Sequence, residues 1–156
     1  LRLISKVGDQ TGGNFLVSSV LVDVFNRQGD ATRLKHTAEE SIRKIGRQNG
    51  FMLHYLIRAE WMEGNDQRAF ELIEEMKDAR DVGEHMSATA IGLSLAALGR
   101  TDEATGWLVQ AYRERDFWLR WHLREALGEY PELARSQALR NILVRLGLDD
   151  ASIAKR

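Results

Sequence analysis

The chain contains no cysteine and only one proline among its 156 residues. Without cysteine, disulfide frameworks, thiolate metal sites and cysteine nucleophiles are excluded. Hydrophobic residues make up 44% of the chain and charged residues 29%. With so little proline, this composition favours helices joined by short connections over a β-sandwich or a disordered chain. We therefore expect an all-α fold, and the lack of cysteine is compatible with the cytoplasmic location that we expect.

A surplus of either charge is lacking as well, since 22 lysines and arginines stand against 23 aspartates and glutamates, for a formal net charge of -1. No basic field is present to attract phosphate backbones or an anionic membrane, so nucleic-acid binding is disfavoured. Apolar runs fall far short of the roughly 18 residues that suggest a membrane span. The N-terminus also lacks the pattern of a secretory signal peptide. We expect no membrane partner, and because the chain opens on Leu1 we expect a piece of a longer protein.

Three glycines recur at an even interval along the chain. Gly29, Gly64 and Gly99 are 35 residues apart (64 − 29 and 99 − 64), and each is followed within three residues by an aspartate. An apolar segment precedes each glycine, and apolar residues at helical spacing follow it. The preceding segments are Phe15 to Phe25, Phe51 to Met62 and Met86 to Leu98. This pattern predicts three successive helical hairpins, with a left-handed glycine ending the first helix of each pair.

Polar residues suited to helix starts follow the three glycines. Asp30, Asp66 and Thr101 are the predicted caps of the second helices, because their side-chain oxygens can accept from free backbone N–H groups. Asp102 and Glu103 suit the positive end of the third such helix. The segment from Met86 to Leu98 is apolar on nearly every side, which a helix tolerates only when neighbouring hairpins cover it. Stacked hairpins are therefore predicted.

The predicted domain runs from residue 14 to 148. Residues 1–13 are expected to be a lead-in or the end of a preceding element, and 149–156 a C-terminal tail. The hairpin units are placed at about 14–48, 50–83 and 85–117, with a cap at 118–148. Two helices, Trp118 to Leu127 and Pro131 to Leu146, are predicted for this cap, because terminal units must cover an otherwise exposed apolar face.

At these positions the chain resembles the tetratricopeptide repeat family, whose helix pairs recur about every 34 residues. In the third unit, Ile91 and Gly92 occupy the Leu-Gly place of that family, with Leu95 in the tyrosine place. Ala104 takes the alanine place and Leu108 the phenylalanine place. The other units match less closely, keeping Leu56, Ala69 and Ile73 but placing Ile57, Val22 and Leu34 where small residues are usual.

The stretch from Leu95 to Leu148 is similar to the closing segment of many bacterial tetratricopeptide proteins. The resemblance implies an α-solenoid of three helix-turn-helix units with a C-terminal two-helix cap. It also implies a non-catalytic scaffold for protein or peptide binding, as a module of a larger bacterial signalling or regulatory protein. In this family the first helix of each pair lines a concave groove. The groove residues selected by register are Asp23, Asn26, Arg27, His54, Tyr55, Arg58, Trp61, Met62, Thr89 and Leu93.

The middle unit carries the richest recognition chemistry of this set. Arg58 can pair with a carboxylate through two hydrogen bonds, and Trp61 with Met62 can supply an apolar anchor. The alternative that Trp61 and Met62 pack against the adjacent unit stays open. His54 is expected to be an exposed or hydrogen-bonded polar residue.

No set of residues points to catalysis. The histidines lie in different units without metal-ligand spacing, and neither a nucleophile elbow nor a phosphate-binding loop is present. Glu71, Glu74 and Glu75 are interpreted as a solvated helix face. We expect no enzyme activity, no cofactor and no metal.

Three further interpretations accompany this expectation. Trp107 and Trp118 are expected to pack in the interior, and Trp121 less firmly so. The alternative function is single-stranded RNA binding, since pentatricopeptide repeats have a period of 35 and a segment resembling the one at Leu72 to Ala79. Self-association through the N-terminal edge of the stack is also left open.

Overall fold

The computed structural model describes residues 15–46 and 50–149, and within these ranges every regular element is an α-helix. The expected all-α class is confirmed. The helices are α1 (Phe15–Gln28), α2 (Ala31–Ile45), α3 (Gly50–Met62), α4 (Asp66–Asp81), α5 (Ala88–Ala97), α6 (Thr101–Arg113), α7 (Leu119–Glu129), α8 (Pro131–Ala134) and α9 (Gln137–Arg145). No helix in the described ranges is both long and apolar enough to cross a membrane.

The three predicted glycine turns end α1, α3 and α5. Gly29, Gly64 and Gly99 have φ angles of +69°, +80° and +74°. Each glycine N–H donates to the carbonyl three residues before it, and the N–H of the next residue donates to the carbonyl five residues before itself, at 2.9 to 3.1 Å. This pair of bonds is the Schellman motif, which uses carbonyls that the helix end leaves free. The predicted left-handed glycines are confirmed.

Caps of the second helices lie directly after these glycines. Asp30 caps α2 as predicted, because its Oδ1 accepts from the N–H of Arg33 at 3.0 Å. The predictions for Asp66 and Thr101 are wrong by one residue, since both lie inside their helices. The Schellman motif already holds the residue after the glycine outside helical geometry, so that residue becomes the cap position. These are Asn65 and Arg100, which make no side-chain capping bond.

A buried register repeats in the three hairpins. The positions seven residues before, five after and nine after each turn glycine are buried in every case. They are Val22, Leu34 and Ala38 in the first hairpin, Ile57, Ala69 and Ile73 in the second, and Gly92, Ala104 and Leu108 in the third. The internal repeat therefore extends from the turns to the core of each helix pair.

The chain divides into two compact units, with the boundary between Met86 and Ser87. In the first unit α1 packs against α2, α2 against α3 and α3 against α4, and α1 also contacts α3. One hydrophobic cluster joins the first three helices and consists of Val22, Phe25, Leu34, Ala38, Met52 and Ala59. The prediction of a single domain at 14–148 stays a prediction, and residues 1–13 and 150–156 lie outside the described ranges.

An ion network ties α2 to α3 in the first unit. Lys35 Nζ donates to Glu60 Oε2 at 3.0 Å and to Glu63 Oε2 at 2.9 Å. Asn65 Nδ2 also donates to Glu60 Oε2, at 2.9 Å. Glu60 is buried, so these donors replace the water that its carboxylate would otherwise bind. Hydrogen bonds to Glu63 and Glu60 raise the pKa of Lys35.

The second unit is built on α5 and α6. Every residue of α5 from Ala88 to Ala96 is buried, as the apolar pattern predicts. Gly92 lies against α6, where a Cβ built on it would be 2.9 Å from Leu108 Cγ and 3.3 Å from the Ala104 carbonyl oxygen. α6 also contacts α7, α8 and α9.

Asp116 connects the start of α5 to the start of α7. Its Oδ2 accepts from Ser87 Oγ at 2.7 Å and from the Thr89 N–H at 3.0 Å, and its Oδ1 accepts from the Trp118 N–H at 3.0 Å. The residue before it, Arg115, ends α6 in a Schellman motif with a φ of +58°. Asp116 thus accepts hydrogen bonds from the starts of α5 and α7, and it lies in a turn that contains no glycine.

Three helices, rather than the predicted two, make up the closing segment. α8 begins at Pro131 as predicted, but the expected helix from Pro131 to Leu146 is interrupted at Arg135 and Ser136. Ser136 begins a new helix because its Oγ accepts from the Leu139 N–H at 3.4 Å. A capping serine thus starts a second helix where hydrophobic spacing suggested one continuous helix.

Candidate partner-binding site

The C-terminal end of α3 presents a tryptophan and a methionine side by side. Trp61 and Met62 are each 37% exposed. The rest of α3 is largely buried, including the run from Gly50 to His54 and the later residues Ile57, Ala59 and Glu60. The turn at Gly64 follows directly, so these two exposed residues are the last two of the helix.

Tyr55 and Arg58 lie on the same helix and are half-buried. Tyr55 packs against the hydrophobic cluster of the first unit, and its ring centroid lies 5.2 Å from that of His54. His54 is only 6% exposed. Of the five predicted residues on α3, Trp61 and Met62 are therefore the most accessible, whereas His54 is buried and its contact with a partner stays a prediction.

The predicted groove residues of α1 are Asp23 and Arg27, which form an ion pair, and the polar residue Asn26. Arg27 Nε lies 3.1 Å from Asp23 Oδ2 across one helical turn, with the two side chains 62% and 40% exposed. Asn26 is half-buried. A pair at this spacing stabilises a helix by only about 0.3 kcal/mol. Such a weak pair can open to let either charge meet a partner.

Thr89 and Leu93 lie in the second unit, on α5. Their exposed fractions are 0% and 5%. The structure thus places these two predicted groove residues in the interior, and their contact with a partner stays a prediction. Five of the predicted residues lie together on α3, namely His54, Tyr55, Arg58, Trp61 and Met62.

The carboxylates of α4 form a solvated, ion-paired face, as interpreted from the sequence. Arg68 Nη1 lies 3.2 Å from Glu71 Oε2 and 3.0 Å from Glu75 Oε1. Lys77 Nζ lies 2.7 Å from Glu74 Oε1. These pairs are exposed and span neighbouring turns of one helix, which is the usual surface arrangement.

An aromatic cluster at the start of α7 is the accessible feature that the predicted site omits. Phe117 and Trp121 are 67% and 66% exposed, whereas Trp107 and Trp118 are half-buried. The ring centroids of Phe117 and Trp121 lie 6.2 Å apart. Part of the signal for this surface is present in the sequence, since Arg120, Trp121 and Arg124 follow the helical spacing of a single face, whereas Phe117 lies in the turn before α7.

No family model, curated protein or solved structure matches this chain. The resemblance to tetratricopeptide repeats therefore rests on the residues that carry it. Accessible side chains and their chemistry are the remaining guide to function.

Proposed function

We propose that the chain is a non-catalytic scaffold of stacked helical hairpins, of the tetratricopeptide type, which binds a segment of a partner protein at α3. The repeat of turns and buried positions supports the hairpin stack. The resemblance of the closing segment supports a module of a larger bacterial signalling or regulatory protein. Trp61 and Met62 support the location of the partner site.

Close packing of one helix pair adds support for the tetratricopeptide type. That family places a small residue in the first helix where the second helix approaches. Gly92 occupies this place, and the Ala104 carbonyl and the Leu108 side chain lie where its missing Cβ would extend. The contact favours glycine, because a Cβ at this position would require the Leu108 side chain to shift.

Exposure of Trp61 and Met62 is the observation that carries the binding function. Tryptophan is enriched in binding hot spots, and methionine adapts its shape to different apolar partners. The two residues are adjacent on a helix that is otherwise mostly buried. Exposure of these two side chains is expected if a partner protein covers them in a complex.

Arg58 defines the polar part of the proposed ligand. It lies three residues before Trp61 and four before Met62, so the three side chains share one side of α3. A guanidinium beside an apolar anchor favours a peptide with a carboxylate next to a large apolar side chain. Nearby Glu60 and Glu63 are already paired with Lys35, which limits their repulsion of such a carboxylate.

Selection from a random peptide display library, with the wild-type chain as bait, tests this proposal. The selected peptides are then titrated against wild type, Trp61→Ala and Arg58→Glu by fluorescence anisotropy. We expect Trp61→Ala to weaken binding about tenfold or more. Arg58→Glu should weaken most the peptides that carry a carboxylate.

A matched control is Val82→Ala, which removes an exposed apolar side chain from the same unit. This variant should bind as wild type does. Equal binding by wild type, Trp61→Ala and Arg58→Glu would remove the partner site from α3. Recovery of no peptide above an unrelated helical protein would contradict the scaffold function itself.

A further inference from the structure

One side of α1 carries an exposed apolar stripe. Leu16 and Val20 lie one helical turn apart and are 68% and 49% exposed. Val17 and Val24 border them and are half-buried. These four residues follow the spacing of a single side of a helix and extend over about 12 Å of its axis. We call them the α1 stripe.

The internal repeat shows how the same stripe is treated in the other hairpins. The positions one repeat further along, 35 residues on, are Phe51, Met52, Tyr55 and Ala59. Three of them are buried, and Tyr55 packs against the hydrophobic cluster of the first unit. Met86 and Ala90, two repeats on from Leu16 and Val20, are buried as well. Of the three hairpins, the first alone exposes these two positions.

The cover over the stripe of α3 comes from α2. These two helices pack against each other, and Leu34 and Ala38 of α2 share one cluster with Met52 and Ala59 of α3. Ile42, four residues after Ala38, packs against the same cluster. The second helix of one hairpin therefore covers the first helix of the next with small or aliphatic residues four positions apart. The α1 stripe offers apolar residues at the same register for the same kind of contact.

Polar contacts beside this interface differ between α3 and α1. Lys35 of α2 donates to Glu60 and Glu63 of α3. The corresponding positions in α1 are Phe25 and Gln28, so no carboxylate is present at either one. A lysine placed there by a docked helix would be partly buried without an ionised acceptor, which costs free energy. A helix that fits the α1 stripe therefore has an uncharged residue in the place of Lys35.

We propose that the α1 stripe docks a helical hairpin of a partner protein, whose second helix covers Leu16 and Val20 as α2 covers α3. That helix carries small or aliphatic residues four positions apart and an uncharged residue in the place of Lys35. The stripe lies on a different helix from Trp61 and Met62, so this proposal does not depend on the partner site at α3.

A second copy of this chain is the less favoured occupant. Two α1 stripes in contact would pair two first helices, whereas the stripe of α3 is covered by a second helix. The second helices α2, α4 and α6 already bury the residues that this contact uses, so they have none to offer to another copy. These residues are Leu34, Ala38, Ala69, Ile73, Ala104 and Leu108.

A fluorescein-labelled peptide that copies residues 30–46 with the change Lys35→Met serves as the probe. The control peptide carries the further changes Leu34→Gln, Ala38→Gln and Ile42→Gln, which remove the apolar positions but keep the charge and favour a helix. Fluorescence anisotropy measures binding of each peptide to the full chain. Because the chain has no cysteine, Val20→Cys supplies a single thiol whose alkylation by iodoacetamide reports whether the stripe is covered.

We expect the control peptide to bind at least about tenfold more weakly than the probe, and Leu16→Glu to weaken binding of the probe by a similar factor. Val82→Glu adds the same charge at another exposed apolar residue of this unit and should leave binding unchanged, as should Trp61→Ala. The bound probe should slow alkylation of Val20→Cys about tenfold, without slowing that of Val82→Cys.

Several outcomes would overturn the proposal. Equal binding of the two peptides, equal binding by wild type and Leu16→Glu, or no binding of the probe up to its solubility would remove this partner from the α1 stripe. A copy that keeps Lys35 and binds as tightly as the probe would contradict the register.

Two further results would assign the stripe to this chain itself. Slow alkylation of Val20→Cys before any peptide is added would show that another part of the chain already covers it. Light scattering that shows a dimer of the wild type and a monomer of Leu16→Glu would assign the stripe to a second copy.

Discussion

The hairpins α3–α4 and α5–α6 share one register but bury their first helices differently. Ile57 and Gly92 both lie seven residues before a turn glycine. In α5 the glycine lets α6 approach until Leu108 lies where a Cβ would be, whereas in α3 the Ile57 side chain is itself fully buried. The same register position therefore admits a close approach of the second helix in one hairpin and holds a buried core side chain in the other.

The two first helices also differ in what they leave exposed. α5 is buried from Ala88 to Ala96, while α3 ends with Trp61 and Met62 accessible. A fully buried helix serves the core of its unit. The two hairpins therefore differ at the end of α3, where the exposed side chains could contact a partner.

Substitution by alanine at the two equivalent positions gives the largest expected contrast. Ile57→Ala should lower the free energy of unfolding by about 3 kcal/mol, because it leaves a cavity in the core. Gly92→Ala should lower it by about 1 kcal/mol, because the added methyl presses on Leu108. Urea denaturation measures both. A neutral Gly92→Ala would show that the close approach of α5 and α6 is dispensable.

Removal of the Asp116 carboxylate tests how the start of α5 is held. Asp116→Ala should lower the free energy of unfolding by about 2 kcal/mol, since three donors lose an ionised acceptor. The control Asp102→Ala removes an exposed carboxylate from the first turn of α6 and should cost about 0.5 kcal/mol. Thermal unfolding measures the loss of stability in both variants, and equal losses would contradict the role of Asp116.

The ion network of Lys35 and Glu60 does not recur one repeat further along the chain, where the corresponding positions are Phe70 of α4 and Leu95 of α5. Lys35→Met should lower the free energy of unfolding by about 1.5 kcal/mol at neutral pH, because the buried Glu60 loses a charged donor.

The pH dependence of this loss follows from the raised pKa of Lys35. Its stabilising effect is complete below the unfolded lysine pKa of about 10.4 and is lost as the pH rises through the higher folded value. Urea titrations at neutral and strongly alkaline pH should show the difference between wild type and variant shrinking. A constant difference would mean that the lysine acts through packing alone.

The turn after α6 offers the only expected gain in stability. Arg115 adopts the left-handed conformation that glycine adopts at Gly83, the end of α4. Arg115→Gly should raise the free energy of unfolding by about 1 kcal/mol, because glycine avoids the contact of Cβ with the backbone. Gly83→Ala should lower the free energy of unfolding by a similar amount. Calorimetric melting of the two variants should therefore shift in opposite directions.

Local patterns predicted the hairpins because glycine turns and helical spacing are short-range signals. The turn at Arg115 escaped prediction, since no glycine marks it. The network of Lys35 and Glu60 joins residues 25 positions apart, which no local pattern relates. Exposure was equally hard to predict: Trp107 and Trp121 both sit on helices with an apolar stripe, and only packing decides which of them is covered.

The caps that follow the turn glycines constrain how this chain can change in length. The residue after each turn glycine completes the end of one helix and caps the start of the next, as at Asp30, Asn65 and Arg100. Every residue of these turns is therefore needed to connect the two helices. One inserted residue would rotate the following helix by about 100° and turn its buried side toward water. We expect natural variants to gain or lose whole hairpins while keeping the length of each turn.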